Sequence, residues 1–510
     1  MWIWLSRRRG ARLIPIRRLR VPNALKAIYK ELFMPTVAQL IAALPDHEDI
    51  AASPSAALTK RLDAASFRRV PIGRLHRMGL LGTLQAKVAA AYLFYWVRGW
   101  FRNADEKERL RAEAHWRTAA RVLDSMNYLR GAAMKVGQML ANFPDIVPTQ
   151  FVETLEQLHF AAPPMHWSLM REMVSNELGD DPEHAFATFE TRAFAAASLG
   201  QVHRATLKGG VPVVVKVQYP GIARTIGEDV RNLLLFMLPA RLNADWENTR
   251  EQFEDLRDRL EHETDYEREA TTLQKARSLF REGDGIVVPR VYPERTTRRV
   301  LTMERLDGAH IDQFLATNPP QELRDEFARK IIRASYRLLY AGRVLYVDCH
   351  PGNFTFMEDG RLGILDFGCM VELDDKLWDL FRKMDRPMTT GRREDRIAVM
   401  KEWSWIGDDP TEDERRRLTD EFADWQWSPR YCGHVFDFGD EADFRRGTNL
   451  FMEMARKRFS RARPSTPMMA RQHFGMRAML YRLKAKVDVA TIADEEVRNA
   501  GWDRRAYTQT

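Results

Sequence analysis

Three polar residues, Asp348, Asn353 and Asp366, have the types and the spacing that phosphoryl transfer requires. Asp348 and Asn353 lie in a segment that Pro351 and Gly352 keep out of regular helix, so one loop can present both side chains. Mg²⁺ prefers hard oxygen ligands and neutralises the charge on a transferred phosphoryl group. Asn353 and Asp366 supply such oxygens, and Asp348 would orient an acceptor hydroxyl or a water molecule.

The residues around these three predict the elements that hold them. Phe354 to Met357 and Leu362 to Leu365 are typical of a β-hairpin around the turn Glu358-Asp359-Gly360, and this hairpin leads into Asp366-Phe367-Gly368. A lone D-F-G is a weak signal, because it recurs at Asp437-Phe438-Gly439 with no D-x4-N pattern before it. We attribute the second copy to chance.

Upstream, the sequence predicts three antiparallel strands over Phe189 to Ala195, Gln201 to Leu207 and Val211 to Val217. The third strand carries Lys216 where the phosphate-pairing lysine of a kinase lies. A lysine inside an apolar strand needs a charged partner, and the candidate is Glu269.

The loop between the first two strands occupies the place of the glycine-rich loop that covers the ATP phosphates in kinases. Alanines replace most of the glycines, which leaves fewer conformations with positive φ open to the loop. Met303 and Glu304 begin the predicted hinge, where an adenine edge would meet the backbone. The predicted nucleotide-binding residues of the loop are Ala195, Ala196, Ala197, Ser198 and Gly200.

The connection from Lys216 to Glu269 is much longer than in ordinary protein kinases. Its residues Pro220 to Leu260 are predicted to be a mostly helical insertion. The acidic run that follows is predicted to be helical, and Asp265 and Glu269 would share one helical face because they are i and i+4.

Composition places the chain among globular proteins. Of its 510 residues, 45% are hydrophobic and 29% are charged, and the length fits two or three domains. Cys349, Cys369 and Cys432 lie far apart and form no C-x-x-C, so the sequence predicts neither a disulfide framework nor a zinc site. A reducing compartment fits this pattern best.

The first thirty residues contain lysine and arginine but no acid, since the first carboxylate is Glu31. Such a basic arm suits an anionic membrane surface or a nucleic acid, or is a solvated tail. No helix-turn-helix, zinc-finger or RNA-binding signature supports nucleic acid. No apolar run approaches the length of about eighteen residues that spans a bilayer. A basic aromatic segment at Trp96 to Arg102 would lie in a lipid interface or be buried in its own domain.

Glu106 to Phe143 is predicted to be helical and contains Gly131 and Gly137 near its end. Each glycine costs a helix about 1 kcal/mol, so close packing or a functional approach should compensate. Lys135 and Gln138 are three positions apart, so they lie on the same face of the predicted helix. Residue type alone predicts that this pair faces solvent.

Together these motifs resemble the UbiB-like atypical kinase family, also called AarF-domain or ABC1-type kinases, over roughly Val70 to Leu380. The segments that carry the resemblance are Lys135-Val136-Gly137-Gln138, Ala195 to His203, Val217 to Ile222, Glu263-Thr264-Asp265, Asp348 to Phe354 and Asp366-Phe367-Gly368.

The resemblance implies an α+β, two-lobed protein-kinase-like fold with an N-terminal helical extension over the active site. It divides the chain into a basic arm over 1–30, the extension over 31–165, an N-lobe over 166–308 and a helical C-lobe over 309–510. The insertion over 220–260 precedes the helix that corresponds to the kinase αC helix.

The resemblance also implies roles for individual residues. Lys216 and Glu269 would be the ion pair, Asp348 the catalytic-loop acid, and Asn353 and Asp366 the metal ligands. The members of the K-x-G-Q and E-x-D motifs would face the nucleotide pocket and impede the access of protein substrates. These residues are Lys135, Gln138, Glu263 and Asp265.

Three residues depart from the family pattern. Tyr346 replaces a histidine and Cys349 a proline in the catalytic loop, and Phe194 stands where proline or a small aliphatic residue is usual. None of these changes removes a metal ligand or the lysine.

The sequence therefore predicts an ATP-binding, Mg²⁺-dependent atypical kinase or ATPase. Family resemblance adds a role in ubiquinone or other isoprenoid-lipid metabolism at a membrane, with quinone-pathway lipids or proteins as partners and no nucleic acid. The expected location is cytoplasmic or peripheral on a membrane, and mitochondrial in a eukaryote. Two alternatives stay open: a small-molecule phosphotransferase of the aminoglycoside-kinase type, and a pseudokinase scaffold that only binds nucleotide.

Overall fold

The computed structural model describes residues 165–197, 199–223, 250, 254, 257–258, 260–403, 405–406, 413–457 and 466–502. The predictions for the basic arm, for the helical extension with Lys135 and Gln138, for Ser198 and for most of the insertion over 220–260 lie outside these residues.

The N-terminal part of the described chain combines helices with an antiparallel sheet. The strand order is β1-β3-β4-β6, and β2 also pairs with β3. The elements are α1 (Trp167–Leu178), α2 (Pro182–Ala185), β1 (Thr188–Phe189), β2 (Ala195–Ala197), β3 (Gly200–Thr206), β4 (Pro212–Gln218), α3 (Tyr266–Ser278), β5 (Ile286–Val287) and β6 (Val300–Glu304).

The first predicted strand, Phe189 to Ala195, is wrong as one continuous strand. Phe189 pairs with Ala205 and Ala195 pairs with Val202, so residues 190–194 oppose only residues 203–204 of β3. The surplus residues must leave the ladder, which separates β1 from β2. The other two predicted strands are confirmed as β3 and β4.

Strand β4 is buried on both faces and thereby fixes the orientation of Lys216. Val213, Val215 and Val217 pack beneath α1 in one apolar cluster, whereas Val214 belongs to a second cluster that includes α3. Side chains alternate between the two faces of a strand. Lys216 therefore shares the face of Val214 and points towards α3.

Helix α3 begins one residue after Asp265, which is its N-cap. The Asp265 side chain accepts hydrogen bonds from the backbone of Glu267 and Arg268, and its own backbone is extended. The preceding helical turn ends where Asp265 N–H donates to the His262 carbonyl. The prediction that Asp265 and Glu269 share a helical face is therefore wrong, because capping favours aspartate just outside the helix.

The C-terminal part is mostly helical. Its elements are α4 (Ile311–Ala316), α5 (Gln321–Tyr340), β7 (Val344–Tyr346), β8 (Phe354–Phe356), β9 (Leu362–Ile364), β10 (Met370–Glu372), α6 (Asp375–Thr390), α7 (Arg393–Glu402), α8 (Asp413–Tyr431), β11 (Phe436–Asp437), α9 (Glu441–Arg456), α10 (Thr466–Leu483), β12 (Lys486–Val487) and α11 (Val489–Asn499).

The predicted hairpin is confirmed as β8 and β9, which pair antiparallel, and β5 adds to β9 in parallel. The amphipathic pattern of Gln321 to Ala341 predicts a helix, and α5 confirms it. Beyond Met370 the sequence has no strand pattern that supports a prediction, yet β10 pairs with β7 and β11 with β12. Strands of two or three residues are too short to show alternation.

These segregated sheets and helices form the α+β architecture that was predicted. Among the residues described, none of the helices combines the length and the apolar character needed to cross a membrane.

Candidate functional site

A buried ion pair between Lys216 and Glu269 is the centre of the candidate site. The Lys216 Nζ lies 2.8 Å from Glu269 Oε1 and 2.9 Å from Oε2. The side chains are only 10% and 5% exposed. Strand β4 and helix α3 thus bring together the two residues that the sequence predicted as partners.

Burial sets the charge behaviour of this pair. Desolvation raises the pKa of Glu269 to about 7, although the positive charge of Lys216 opposes the shift. Desolvation alone would lower the pKa of Lys216, but the negative charges of Asp366 and Glu269 outweigh it and raise that pKa. Lys216 is therefore a fixed cation, whereas Glu269 changes its protonation near neutral pH.

Asp366 approaches the pair from the loop after β9. Its Oδ2 lies 3.5 Å from Lys216 Nζ, its Oδ1 accepts a 2.7 Å hydrogen bond from Gly368 N–H, and its side chain is 37% exposed. A Cβ at Gly368 would lie 3.1 Å from Asp366 Oδ1 and 3.7 Å from Glu269 Oε2. Glycine at this position therefore permits the close approach of the loop to the ion pair.

The loop between β7 and β8 presents Asp348 and Asn353. Asn353 Nδ2 donates a 3.0 Å hydrogen bond to the Asp348 carbonyl, and Leu365 N–H donates to the Asn353 carbonyl at 2.8 Å. The His350 ring nitrogen accepts from Gly352 N–H and caps the short 3₁₀ turn Pro351–Asn353. Because the Asn353 amide nitrogen is engaged, its oxygen is the atom left for a cation.

Tyr346 connects this loop to Asp366. Its hydroxyl donates a 3.2 Å hydrogen bond to the Asp366 carbonyl, and its ring lies 6.0 Å from the Phe354 ring and 5.6 Å from the Phe367 ring. Burial raises the pKa of Tyr346 well above its ordinary value, so the hydroxyl stays a donor. The unusual tyrosine therefore supports the loop rather than disrupting it.

The other two departures from the family pattern lie beside the site. Cys349 is buried against α10, where a Cβ at Gly475 would come within 3.0 Å of the Cys349 Cβ. Phe194 is 49% exposed, and the Arg204 guanidinium lies 4.0 Å from the centre of its ring.

The alanine-rich loop folds back as the β2–β3 hairpin. Ala195, Ala196 and Ala197 pair with the first residues of β3, and Ala197 pairs with Gly200. A Cβ at Gly200 would overlap the Val217 carbonyl oxygen, so this position requires glycine. The glycine retained in the loop therefore packs the hairpin against β4.

The predicted hinge begins within β6. Met303 is buried, and Glu304 N–H donates a 2.8 Å hydrogen bond to the Arg290 carbonyl. Glu304 Oε2 in turn accepts from Arg290 N–H at 3.1 Å. Arg305 N–H likewise donates to the Pro212 carbonyl at 3.3 Å. The amides of Glu304 and Arg305 are thus used within the fold, and a hinge contact through a backbone amide would involve residues after Arg305.

The two acids of the E-x-D motif occupy different environments. Glu263 is half-buried, and its charge contributes to the raised pKa of Glu269. Asp265 caps α3, and its Oδ2 lies 3.9 Å from Arg298 Nε. Lys135 and Gln138, which are predicted to face the same pocket as these acids, lie outside the described residues.

Sequence reasoning missed two residues of the site, Tyr266 and Gln218. The Tyr266 ring centre lies 4.9 Å from Lys216 Nζ. Gln218 Nε2 donates to the carbonyls of Thr264 at 2.6 Å and Arg298 at 3.4 Å, which ties the end of β4 to the turn before α3. Gln218 could have been recognised from the sequence, because a polar residue at the end of a strand buried on both faces needs a hydrogen-bond partner.

The donor set fits Mg²⁺ held jointly with phosphates. The described residues contain no group of three or more His, Cys, Asp or Glu that could hold a metal by itself. Mg²⁺ is commonly bound by one or two protein oxygens and keeps its other positions for phosphate and water. The Asp366 carboxylate and the Asn353 amide oxygen provide this kind of ligand.

Comparisons with known proteins found similarity to kinase-like proteins. The family model described as the ABC1 atypical kinase-like domain matches residues 157–394. The chain is 28% identical over 444 residues to the atypical kinase COQ8B, mitochondrial, of Danio rerio. This match covers 83% of this chain and 68% of the relative. It is 30% identical to the atypical kinase COQ8, mitochondrial, of Saccharomyces cerevisiae over 52% of this chain and 53% of the relative.

A probable serine/threonine-protein kinase, abkA of Dictyostelium discoideum, is 35% identical over 49% of this chain. The match spans 46% of abkA, so the chain covers only about half the length of the yeast and Dictyostelium relatives. A solved structure of Rv3197 with erythromycin from Mycobacterium tuberculosis covers 77% of this chain with a TM-score of 0.51 and 23% identity. That likeness concerns the fold.

Proposed function

This chain carries an ABC1 atypical kinase-like domain, and from that premise we propose that it binds ATP with Mg²⁺ and transfers the terminal phosphoryl group to an acceptor or to water. The domain and the COQ8-type relatives confirm the resemblance to the UbiB-like atypical kinases. The α+β architecture is that of a kinase-like fold.

The observation that carries the proposal is the convergence of Lys216, Glu269 and Asp366 from a strand, a helix and a loop. A cation that is buried, charged and held by a carboxylate is prepared to meet phosphate oxygens without reorganisation. Asp366 lies beside this cation and is partly open to solvent, as a ligand of a nucleotide-bound ion must be.

We propose the remaining roles from the resemblance to the atypical kinases. Asn353 and Asp366 would hold Mg²⁺, which when bound would neutralise charge on the phosphates. Asp348 would orient the acceptor hydroxyl or a water molecule. The β2–β3 hairpin would cover the phosphates, and the segment from Met303 and Glu304 onward would meet the adenine edge.

The wider role is proposed from resemblance. We propose that the chain supports ubiquinone or other isoprenoid-lipid metabolism, peripherally at an anionic membrane surface, and in mitochondria if its source is a eukaryote. Two of the COQ8 relatives are described as mitochondrial. The division into arm, extension, N-lobe and C-lobe, and the gating role of Lys135, Gln138, Glu263 and Asp265, are part of this proposal.

The test measures ATP binding and ATP turnover by the purified full chain with Mg²⁺, with and without anionic liposomes that contain an isoprenoid lipid. We expect binding and turnover in the wild type, with turnover increased by the liposomes. Asp348→Asn should retain binding and lose turnover, because it keeps the shape of the loop and removes only the carboxylate.

Three outcomes would contradict parts of this proposal. Absence of ATP binding at millimolar concentration with Mg²⁺ would overturn it entirely. Binding without turnover under every condition would favour the scaffold function. Fast phosphorylation of soluble hydroxyl compounds, without any response to lipid, would favour the small-molecule phosphotransferase.

A further inference from the structure

Tyr266, the first residue of α3, has a buried hydroxyl that no described residue engages in a hydrogen bond. The residue is 1% exposed. Its hydroxyl has no hydrogen-bond partner among the residues that the structure describes. A buried polar group without a partner costs free energy, and such a group in a native protein calls for an explanation.

Two of the other buried tyrosines in the described chain have hydrogen-bond partners. Tyr346 donates to the Asp366 carbonyl, and Tyr340 lies 3.5 Å from Asp385 Oδ1. The fold therefore commonly satisfies a buried phenol, and Tyr266 departs from this pattern at the place where the candidate site lies.

The ring of Tyr266 is fixed against the ion pair. Lys216 Nζ lies 4.9 Å from the ring centre, within the range of a cation–π contact. Tyr266 N–H donates a 3.0 Å hydrogen bond to the Arg298 carbonyl, and the Asp265 cap sets the start of the helix. The ring also belongs to the same apolar cluster as Val214. The side chain is therefore held in place.

The charges of Lys216, Glu269 and Asp366 all act on the Tyr266 hydroxyl, and burial raises its pKa above the ordinary value. The hydroxyl therefore remains a donor over the physiological pH range. In the proposed complex the phosphate oxygens would lie beside Lys216 and Asp366, and a hydroxyl donor next to this cation is chemically suited to them. Hydrogen bonds to such charged acceptors are stronger than those to neutral ones.

We propose that the Tyr266 hydroxyl donates a hydrogen bond to a phosphate oxygen of the bound nucleotide. Tyr266 is then a phosphate-binding residue in addition to Lys216, and its buried hydroxyl is satisfied only in the complex. This inference rests on the proposed function, because it requires that a nucleotide binds beside Lys216.

Tyr266→Phe tests the inference, because it keeps the ring over Lys216 and removes only the oxygen. Binding of Mg·ATP and Mg·ADP to the full chain is measured by calorimetry, and adenosine binding by competition. Thermal unfolding is measured without ligand. We expect about a tenfold loss of affinity for ATP and ADP, little change for adenosine, and an unfolding temperature no lower than that of the wild type.

Tyr340→Phe is the matched control, because it removes a phenol that has a partner in the C-terminal part. It should lower the unfolding temperature and leave nucleotide affinity unchanged. We therefore expect only Tyr340→Phe to lower the unfolding temperature and only Tyr266→Phe to weaken nucleotide binding.

Wild-type affinity for ATP in Tyr266→Phe would overturn the inference and leave the proposed function intact. An equal proportional loss for adenosine would also overturn it, because the hydroxyl would then contact the nucleoside. A lowered unfolding temperature with unchanged affinity would show that the hydroxyl has a partner within the chain. Failure of the wild type to bind any nucleotide would overturn both proposals together.

Discussion

The two D-F-G tripeptides of this chain share one turn geometry, but the aspartates differ in the burial and charge of the residues around them. Asp366 Oδ1 accepts from Gly368 N–H at 2.7 Å, and Asp437 Oδ1 accepts from Gly439 N–H at 2.8 Å. A Cβ on either glycine would lie 3.1 Å from the Asp Oδ1 of its own copy. Both phenylalanines are buried.

The surroundings separate the two copies. Asp366 lies beside Lys216, which is buried and paired with Glu269. Asp437 Oδ2 lies 3.1 Å from Lys486 Nζ, and the two side chains are 48% and 53% exposed, respectively. This difference supports the interpretation of the second copy as a chance recurrence, which rests on the absence of a D-x4-N pattern before it. Three residues determine a turn, whereas the site depends on partners that are distant in the sequence.

The second copy still has a structural place. Phe438 N–H donates a 2.8 Å hydrogen bond to the Ala485 carbonyl, and the Arg477 guanidinium lies 5.3 Å from the centre of the Phe438 ring. These contacts anchor the strand pair β11–β12. The tripeptide at Asp437 therefore forms a structural turn in the C-terminal part, whereas the tripeptide at Asp366 borders the candidate site.

The largest expected difference is between Asp366→Asn and Asp437→Asn. The first should reduce Mg²⁺-dependent turnover of ATP by about a hundredfold or more, because it removes a charged oxygen ligand. The second makes the same change in the same turn and should stay within about twofold of the wild type. Turnover measured across Mg²⁺ concentrations decides the result. Equal losses in the two variants would mean that the tripeptide, rather than its surroundings, sets the activity.

The second expected difference concerns stability. Lys216→Met should lower the free energy of unfolding by about 3–5 kcal/mol at pH 8, because it leaves Glu269 buried without its cation. Lys486→Met removes an exposed partner and should cost no more than about 0.5 kcal/mol. Urea unfolding measures both.

A double variant, Lys216→Met with Glu269→Leu, sharpens this test. An apolar pair can replace a buried ion pair at little cost, so most of the stability should return while nucleotide binding stays lost. Similar costs for Lys216→Met and Lys486→Met would contradict the distinction between a buried and an exposed pair.

Much of the framework around the first copy could be predicted from local patterns. Short runs of apolar and β-branched residues bounded by turn residues located β3, β4 and the β8–β9 hairpin, and helical periodicity located α5. The need of a buried lysine for a counter-charge pointed to Glu269 before any geometry was known. These arguments succeed because each concerns a pattern within one element or a single obligatory pairing.

The remaining features depend on contacts that no local pattern encodes. Gln218 reaches carbonyl groups 46 and 80 positions away. The start of α3 at Tyr266 depends on capping by Asp265, which the acidic run around it conceals. The strands β11 and β12 have two residues each and show no periodicity. For the same reason the folded structure is needed to see that no described residue pairs with the Tyr266 hydroxyl.

The third prediction is a pH dependence that belongs to the first copy alone. Burial raises the pKa of Glu269 from 4.5 to about 7, so between these values the folded chain holds a proton that the unfolded chain lacks. The resulting stability is complete below about pH 4.5 and is lost as the pH rises through about 7, a change on the order of 3 kcal/mol.

Urea unfolding from pH 5 to pH 8 measures this change, and the difference from Glu269→Gln isolates it from other titrating groups. The variant should lack this component of the pH slope, whereas Asp437→Asn should keep the slope of the wild type. An unchanged slope in Glu269→Gln would show that Glu269 stays ionised across this range.

The smallest expected effect tests the link between the catalytic loop and the first copy. Tyr346→Phe removes the donor to the Asp366 carbonyl, a 3.2 Å hydrogen bond, and keeps the ring packed on Phe354 and Phe367. A typical hydrogen bond contributes about 1 kcal/mol, so the free energy of unfolding should fall by about that amount. Turnover should fall by less than tenfold, because Lys216 and Glu269 still hold the site.

The two measurements together show how Tyr346 acts. A parallel loss of stability and turnover would mean that the Tyr346 hydroxyl stabilises the backbone of Asp366 and thereby positions its side chain. A complete loss of turnover at unchanged stability would contradict this role, because the hydroxyl would then have to act on the reacting groups directly. The two D-F-G copies would in that case differ through the loop before the first copy as much as through Lys216.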